Sequence, residues 1–265
     1  MVGVLLFLAL TGPRVLSADY CADQFALALA DRGQIAALSV DAEKDFSYLR
    51  DQAAGLRQTR AEAEAAVASR ADVVLRFWGG DAARFERLGL AIVTLDYAAD
   101  FEGVKANIRK TAIALGQIYR GEALIDETDR RLAVLAARGA AHQSALYVTP
   151  GGVTAGKGTM IDAILNAAGV GNVAAEQGLS YWPALSAEAL IADPPEFIVT
   201  GFFSSGSERV NHWSATRHPA LKNTLGGTAR IDLPADVLAC PAWFSLDAAE
   251  AIRDRVDAMK AGSHE

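Results

Sequence analysis

The chain has 265 residues, enough for one large domain or for two lobes of about 100–130 residues each. Apolar residues make up 51% and charged residues 22%, a globular composition that excludes disorder as a description of the whole chain. A net charge of −7 offers no basic footprint for nucleic acid, and four histidines leave little from which to build a multi-histidine metal cage.

Val2–Leu10 is an uncharged apolar run, too short to span a bilayer as a helix. It matches the apolar core of a secretory signal peptide, although no basic residue precedes Arg14. Residues 1–13 are therefore expected to be a signal-peptide remnant, with an extra buried strand as the alternative, and the mature protein to be periplasmic. Cys21 is preceded by Ala18-Asp19-Tyr20, which lacks the small-residue pattern of a lipid-attachment site.

Residues 14–19 read as a strand, 22–31 as a helix with Gly33 as its left-handed cap, and 35–39 as a second strand. Residues 72–77 (DVVLRF) form an apolar run suited to a buried parallel strand. Gly79-Gly80 follows, then Asp81 as N-cap of a short helix ending near Gly89, and a strand over 91–96. This β-α-β succession predicts a parallel sheet with helices on its faces.

From 101 to 138 there is no proline, and Val104, Ile108, Leu115, Ile118, Ile125, Leu132 and Leu135 recur at helical spacing. The spacing predicts one rod of roughly 50 Å, provided Gly116 and Gly121 do not break it. The alternation then resumes. Strands are expected at 145–149, 197–201 and 229–233, and a helix over 159–168 stopped by Gly169. Ser186 is expected to cap a helix ended by Pro194-Pro195, and Ser245 to cap the last one. The expected fold is α/β: two Rossmann-like lobes, 14–100 and 140–265, joined by one long α-helix over 101–139.

These segments resemble the class III periplasmic binding proteins, receptors of the cobalamin, ferric-siderophore and haem importers. RVLSADYCADQFALALADRGQIAALS is similar to the family's opening strand, helix and strand. The stretch from EAAVASRADVVLRF to NIRKTAIALGQ resembles its third and fourth strands and the start of its backbone helix. GKGTMIDAILNAAGVGNVAAEQG to PPEFIVTG, RHPALKNT and CPAWFSLDAAEAI resemble its second half. The likeness spans residues 14–262. It implies a monomeric receptor with no catalytic activity and no cofactor of its own, holding an iron- or cobalt-containing chelate in a shallow cleft between lobes. It further implies delivery to the permease and ATPase of an ABC importer. A periplasmic carrier of haem or metal without an importer is the alternative.

A ligand of that kind needs flat apolar surfaces with a few polar anchors, beyond the carboxyl ends of parallel strands. Tyr20, Phe77, Trp78 and Tyr97 fall there in the first half. Tyr181, Trp182, Phe202, Phe203 and Trp243 are the second-half candidates, each set against plain core packing. All four tryptophans, Trp213 included, sit in predicted loops. Arg76 suits either an anionic ligand group or a structural ion pair, and the lack of an arginine cluster argues against a highly anionic catecholate. His212 and His218 are poorly spaced for joint metal ligation. The resemblance implies an acidic permease-docking residue on each lobe. The matching first-lobe position is Ala83, so Asp81 and Glu86 are the nearby candidates, with Glu208 in the second lobe.

Cys21 and Cys240 form no metal-binding pattern, leaving either one long-range disulfide or two free thiols. Gly151-x-x-x-x-Gly156-Lys157 resembles a phosphate-binding loop, but Gly158 stands where a hydroxyl must hold magnesium. Nucleotide hydrolysis is therefore the weaker reading.

Overall fold

The computed structural model describes residues 12–186, 195–202 and 227–262. The expected helix after Ser186, together with Phe203, Glu208, His212, Trp213 and His218, lies outside the described residues. So does the apolar run at 2–10.

The chain divides into two compact units. The first contains residues 1–43, 49–95 and 108–122, and the second contains 44–48, 96–107 and 123–265. Each has a four-stranded parallel sheet.

In the first unit β1 (Val15–Ser17) leads through α1 (Tyr20–Leu29) to β2 (Ile35–Ala37). The short α2 (Arg50–Ala53) and then α3 (Ala63–Ser69) precede β3 (Val73–Arg76), and α4 (Ala82–Arg87) precedes β4 (Ala91–Thr94). The order across the sheet is β2-β1-β3-β4. β1 and β3 are in register from Val15 opposite Val73 to Ser17 opposite Leu75. Leu16, Ala37 and Val74 pack against Ala66 of α3 and Phe85 of α4, so one face of the sheet is sealed by helices. The apolar run that predicted β3 is buried for this reason.

Asp81 caps α4 as expected, accepting from the Arg84 amide. Gly33 does not cap α1. It lies inside the 3-10 turn Arg32–Gln34, whereas α1 stops at Leu29 with Ala30 already extended. The Leu29 carbonyl instead receives the Arg120 guanidinium at 2.7 Å, and the same guanidinium reaches Asp31. A tertiary cation takes the place of a glycine cap.

The stretch expected as one rod is helical but broken. α5 (Phe101–Leu115) and α6 (Ile118–Ala137) are separated at Gly116, whose φ is +70°. The Gly116 amide donates to Ile113 O and the Gln117 amide to Ala112 O, the bonding pattern of a left-handed helix stop. The two helices then run antiparallel. Gly121 sits against Ala112, Arg109 pairs with Glu122, and in the second unit Lys105 pairs with Asp129. Residues 13 and 24 apart in sequence cannot pair along one straight helix. Gly121, the other glycine of the stretch, remains helical, and its missing side chain admits Ala112: a Cβ there would lie 2.5 Å from the Ala112 methyl.

In the second unit β5 (Ser144–Val148) leads to α7 (Met160–Ala167), β6 (Gly171–Asn172) and α8 (Val173–Glu176). β7 (Phe197–Gly201), β8 (Ala229–Leu233) and α9 (Ser245–Gly262) complete it. The order β6-β5-β7-β8 repeats that of the first sheet. Thr159 caps α7 and Gly169 follows it at φ +72°, both as the sequence suggested. The guanidinium of Arg253, itself buried, donates to the carbonyls of Arg138, Gly139 and Ala168. It thereby satisfies the ends of α6 and α7 together.

Residues 44–48 leave the first unit's chain and belong to the second. Tyr48 stacks on Phe244 at 4.2 Å, and its hydroxyl donates to Asp247 at 2.6 Å. Burial and that carboxylate push the Tyr48 hydroxyl up to about 12. Arg131 binds the other oxygen of Asp247 and both oxygens of Glu250.

Candidate functional site

Both sheets have their first and third strands as neighbours in the centre, so consecutive crossovers leave in opposite directions from that point. The crevice beyond the carboxyl ends of those strands is where open parallel sheets bind ligands.

In the first unit this point is organised by Asp19, which sequence reading placed only at a strand end. Its Oδ1 accepts from the Ala22 amide at 2.9 Å and so caps α1. Its Oδ2 accepts from three consecutive amides, Phe77 at 2.7 Å, Trp78 at 3.1 Å and Gly79 at 3.0 Å. One buried carboxylate thus ties the loop after β3 to the loop after β1. Gly79 permits the approach, since a Cβ there would stand 2.3 Å from the Ala18 carbonyl oxygen. The available signal was an N-cap aspartate opposite a double glycine.

Tyr20, Phe77 and Trp78 are brought together: Tyr20 meets Trp78 edge-on at 5.1 Å, and Phe77 meets it at 4.9 Å. Arg76 donates to the Trp78 carbonyl at 3.1 Å, which makes it a loop brace; its Nε is buried without a hydrogen-bond partner. Burial, with the charges of Asp19 and Asp41 next, raises the Tyr20 hydroxyl above its ordinary value. Below this cluster Asp23 is fully buried and accepts from the Ser39 amide at 2.9 Å and the Ser39 hydroxyl at 2.5 Å. Desolvation lifts its carboxyl to about 6, against the opposing hydrogen bonds of Ser17 and Ser39.

In the second unit Tyr97, Tyr181 and Trp182 form another group. Tyr97 donates to the Gly158 carbonyl at 3.3 Å, and its hydroxyl is also in reach of Trp182. Tyr181 stands at φ +57°, beside Gly158. Trp182 lies edge-on to the buried Tyr147 at 6.3 Å. Trp78 and Trp182 are 49% and 48% exposed, Tyr97 51% and Tyr181 65%, so none of the four is a core residue. Phe202, half-buried, follows β7 at φ +66°. Trp243 is half-buried and packs edge-on against Phe244. On α4, Asp81 and Glu86 are exposed, as is Ala83 between them.

The loop that resembled a phosphate cradle has its amides committed internally. Gly152 donates to Thr149 O, Val153 to Thr149 Oγ1, Thr154 to Pro183 O, Gly156 to Tyr181 O and Lys157 to Leu179 O. A phosphate-binding loop needs such amides free and convergent. Among the described residues no group of three or more His, Cys, Asp or Glu comes together as a metal-ligating set, and no helix is long and apolar enough to cross a membrane. Cys21 and Cys240 are buried and both disulfide-bonded.

Comparison with solved structures finds the same fold repeatedly. The periplasmic haem-binding protein BhuT, in complex with two haems, is 22% identical at a TM-score of 0.71, over 92% of this chain and 97% of its own. The vitamin B12-binding protein BtuF of Vibrio cholerae is 18% identical at 0.67, over 94% and 98%. An Fe3+-hydroxamate transport protein from Saccharomonospora viridis is 17% identical at 0.64, over 92% of each chain. No curated protein sequence matches. The sequence model of the periplasmic binding proteins matches residues 22–219, and with two parallel sheets of repeated order around aromatic switch points, the chain belongs to the periplasmic binding protein family.

Proposed function

We propose that the chain is the substrate-binding component of an ABC importer. In this reading it takes up a bulky metal chelate, a ferric siderophore or a cobalamin-like corrinoid, in the periplasm and delivers it to the permease. The observation that carries this reading is a pair of half-exposed indoles, Trp78 in the loop after β3 and Trp182 in the segment bonded to the loop after β5. Large aromatic faces in water are costly to leave uncovered and are suited to a flat, apolar ligand. Solved proteins of this fold are named for binding haem and vitamin B12 and for Fe3+-hydroxamate transport, which supports the ligand class. The internally bonded amides of the 151–158 loop speak against nucleotide chemistry. The exposed Glu86, with Asp81 partly committed to capping, is the better first-unit candidate for docking on the permease.

Intrinsic fluorescence of the purified chain tests the reading. Cyanocobalamin, cobinamide, haem and ferric hydroxamates are titrated in turn. Saturable quenching by at least one, diminished in Trp78→Ala and Trp182→Ala, is the expected result. No quenching across the panel sinks the proposal.

A further inference from the structure

The three consecutive amides of Phe77, Trp78 and Gly79 converge on a single oxygen, the arrangement by which backbone captures anions such as phosphate or carboxylate. Here the captured anion is the protein's own Asp19. In the second unit the loop after β5 has its amides turned onto Thr149, Leu179, Tyr181 and Pro183. Among the described residues, neither the loop after β3 nor the loop after β5 presents these amides to an anionic ligand group. Among the described residues around these loops, rings face solvent: Trp78 in one unit, and Tyr97, Tyr181 and Trp182 in the other. The Arg76 side chain is held by the Trp78 carbonyl at one end and buried at its Nε.

We propose that Asp19 is a specificity-determining residue, an internal anion that fills the first unit's backbone nest and restricts the ligand to neutral or cationic metal chelates with an apolar face. This rests on the receptor reading above. A polyanionic chelate finds the nest occupied and a carboxylate beneath the rings. A neutral corrinoid or a cationic ferric trihydroxamate meets the aromatic faces without that penalty. The raised hydroxyl of Tyr20, to which the charges of Asp19 and Asp41 contribute after burial, reports the same negative field.

The test is a charge series at low salt, read by tryptophan quenching. The probes are a cationic ferric trihydroxamate, neutral cyanocobalamin and a trianionic ferric triscatecholate. The trianion is expected to bind on the order of 10–100-fold more weakly than the better of the other two, with the gap shrinking as salt is added. A trianion that binds as tightly as either overturns this inference and leaves the receptor reading standing. No quenching by any probe overturns both. A second arm opens the nest with Asp19→Ala and adds formate. Formate is expected to raise the melting temperature of the variant and not that of the wild type, and an equal response of the two proteins overturns the inference. Should the variant fail to fold, the charge series on the wild type still decides.

Discussion

Asp23 offers a perturbation whose size and sign can be worked out beforehand. Its carboxyl is fully buried and lifted to about 6 by desolvation, from an ordinary value of 3.8. The folded protein therefore holds this proton more tightly than the unfolded chain does. Folding gains from the protonated form: the contribution is complete below about pH 4 and is lost as pH rises through about 6. The displacement corresponds to about 3 kcal/mol, an order-of-magnitude figure for a buried group. Asp23→Asn keeps the shape and leaves an oxygen for the Ser39 amide, while its new N–H can donate to the Ser39 hydroxyl. Urea denaturation of both proteins from pH 4 to pH 8 isolates the effect by difference. Other carboxylates, Asp31, Glu127 and Asp257, are held below their ordinary values by arginines or amides and move stability the opposite way, but they are common to both proteins. Relative to wild type, the variant is expected to gain about 3 kcal/mol on going from pH 4 to pH 8. A difference that stays flat across the range refutes the argument that Asp23 is ionised at a cost.

Arg253→Met leaves three helix-end carbonyls without their donor, while Asp257 keeps Arg138, and a loss of about 3–5 kcal/mol in denaturant melts is expected. Gly116→Ala places a Cβ in left-handed backbone with open space around it, so strain alone acts, and about 1–2 kcal/mol should be lost without a change in circular dichroism. We propose that Cys21 and Cys240 pair with each other. Non-reducing mass measurement should show no free thiol, and Cys21→Ser with Cys240→Ser should cost about 2–5 kcal/mol. Lys157→Ala should leave chelate binding within about twofold, because the Lys157 contacts the loop depends on are made by its backbone.

The strands and caps were legible because local chemistry decides them. Val73, Val74 and Leu75 are apolar and buried in a central strand, and Asp81 and Thr159 cap through their own side chains. The α5–α6 turn was not. Apolar spacing continues in phase across Gly116 because both helices bury a face, so periodicity cannot register a reversal that one positive φ produces. Gly33 was misread because a distant guanidinium, Arg120, finishes α1. At the site, Tyr181 and Trp182 follow α8 rather than a strand, while Tyr20, Phe77, Trp78 and Tyr97 could be found from strand ends alone. Asp19 could not, since its role depends on three amides 58–60 residues away.

The placement of residues 44–48 bears on how the protein can be taken apart. Because Tyr48 stacks and hydrogen-bonds in the second unit while the chain on either side belongs to the first, neither half is one uninterrupted stretch of gene. Cloning residues 14–100 by themselves would deprive the other half of an aromatic side chain that covers Phe244. Halves expressed separately should therefore be less soluble than the whole, and limited proteolysis near 43–49 should disturb both.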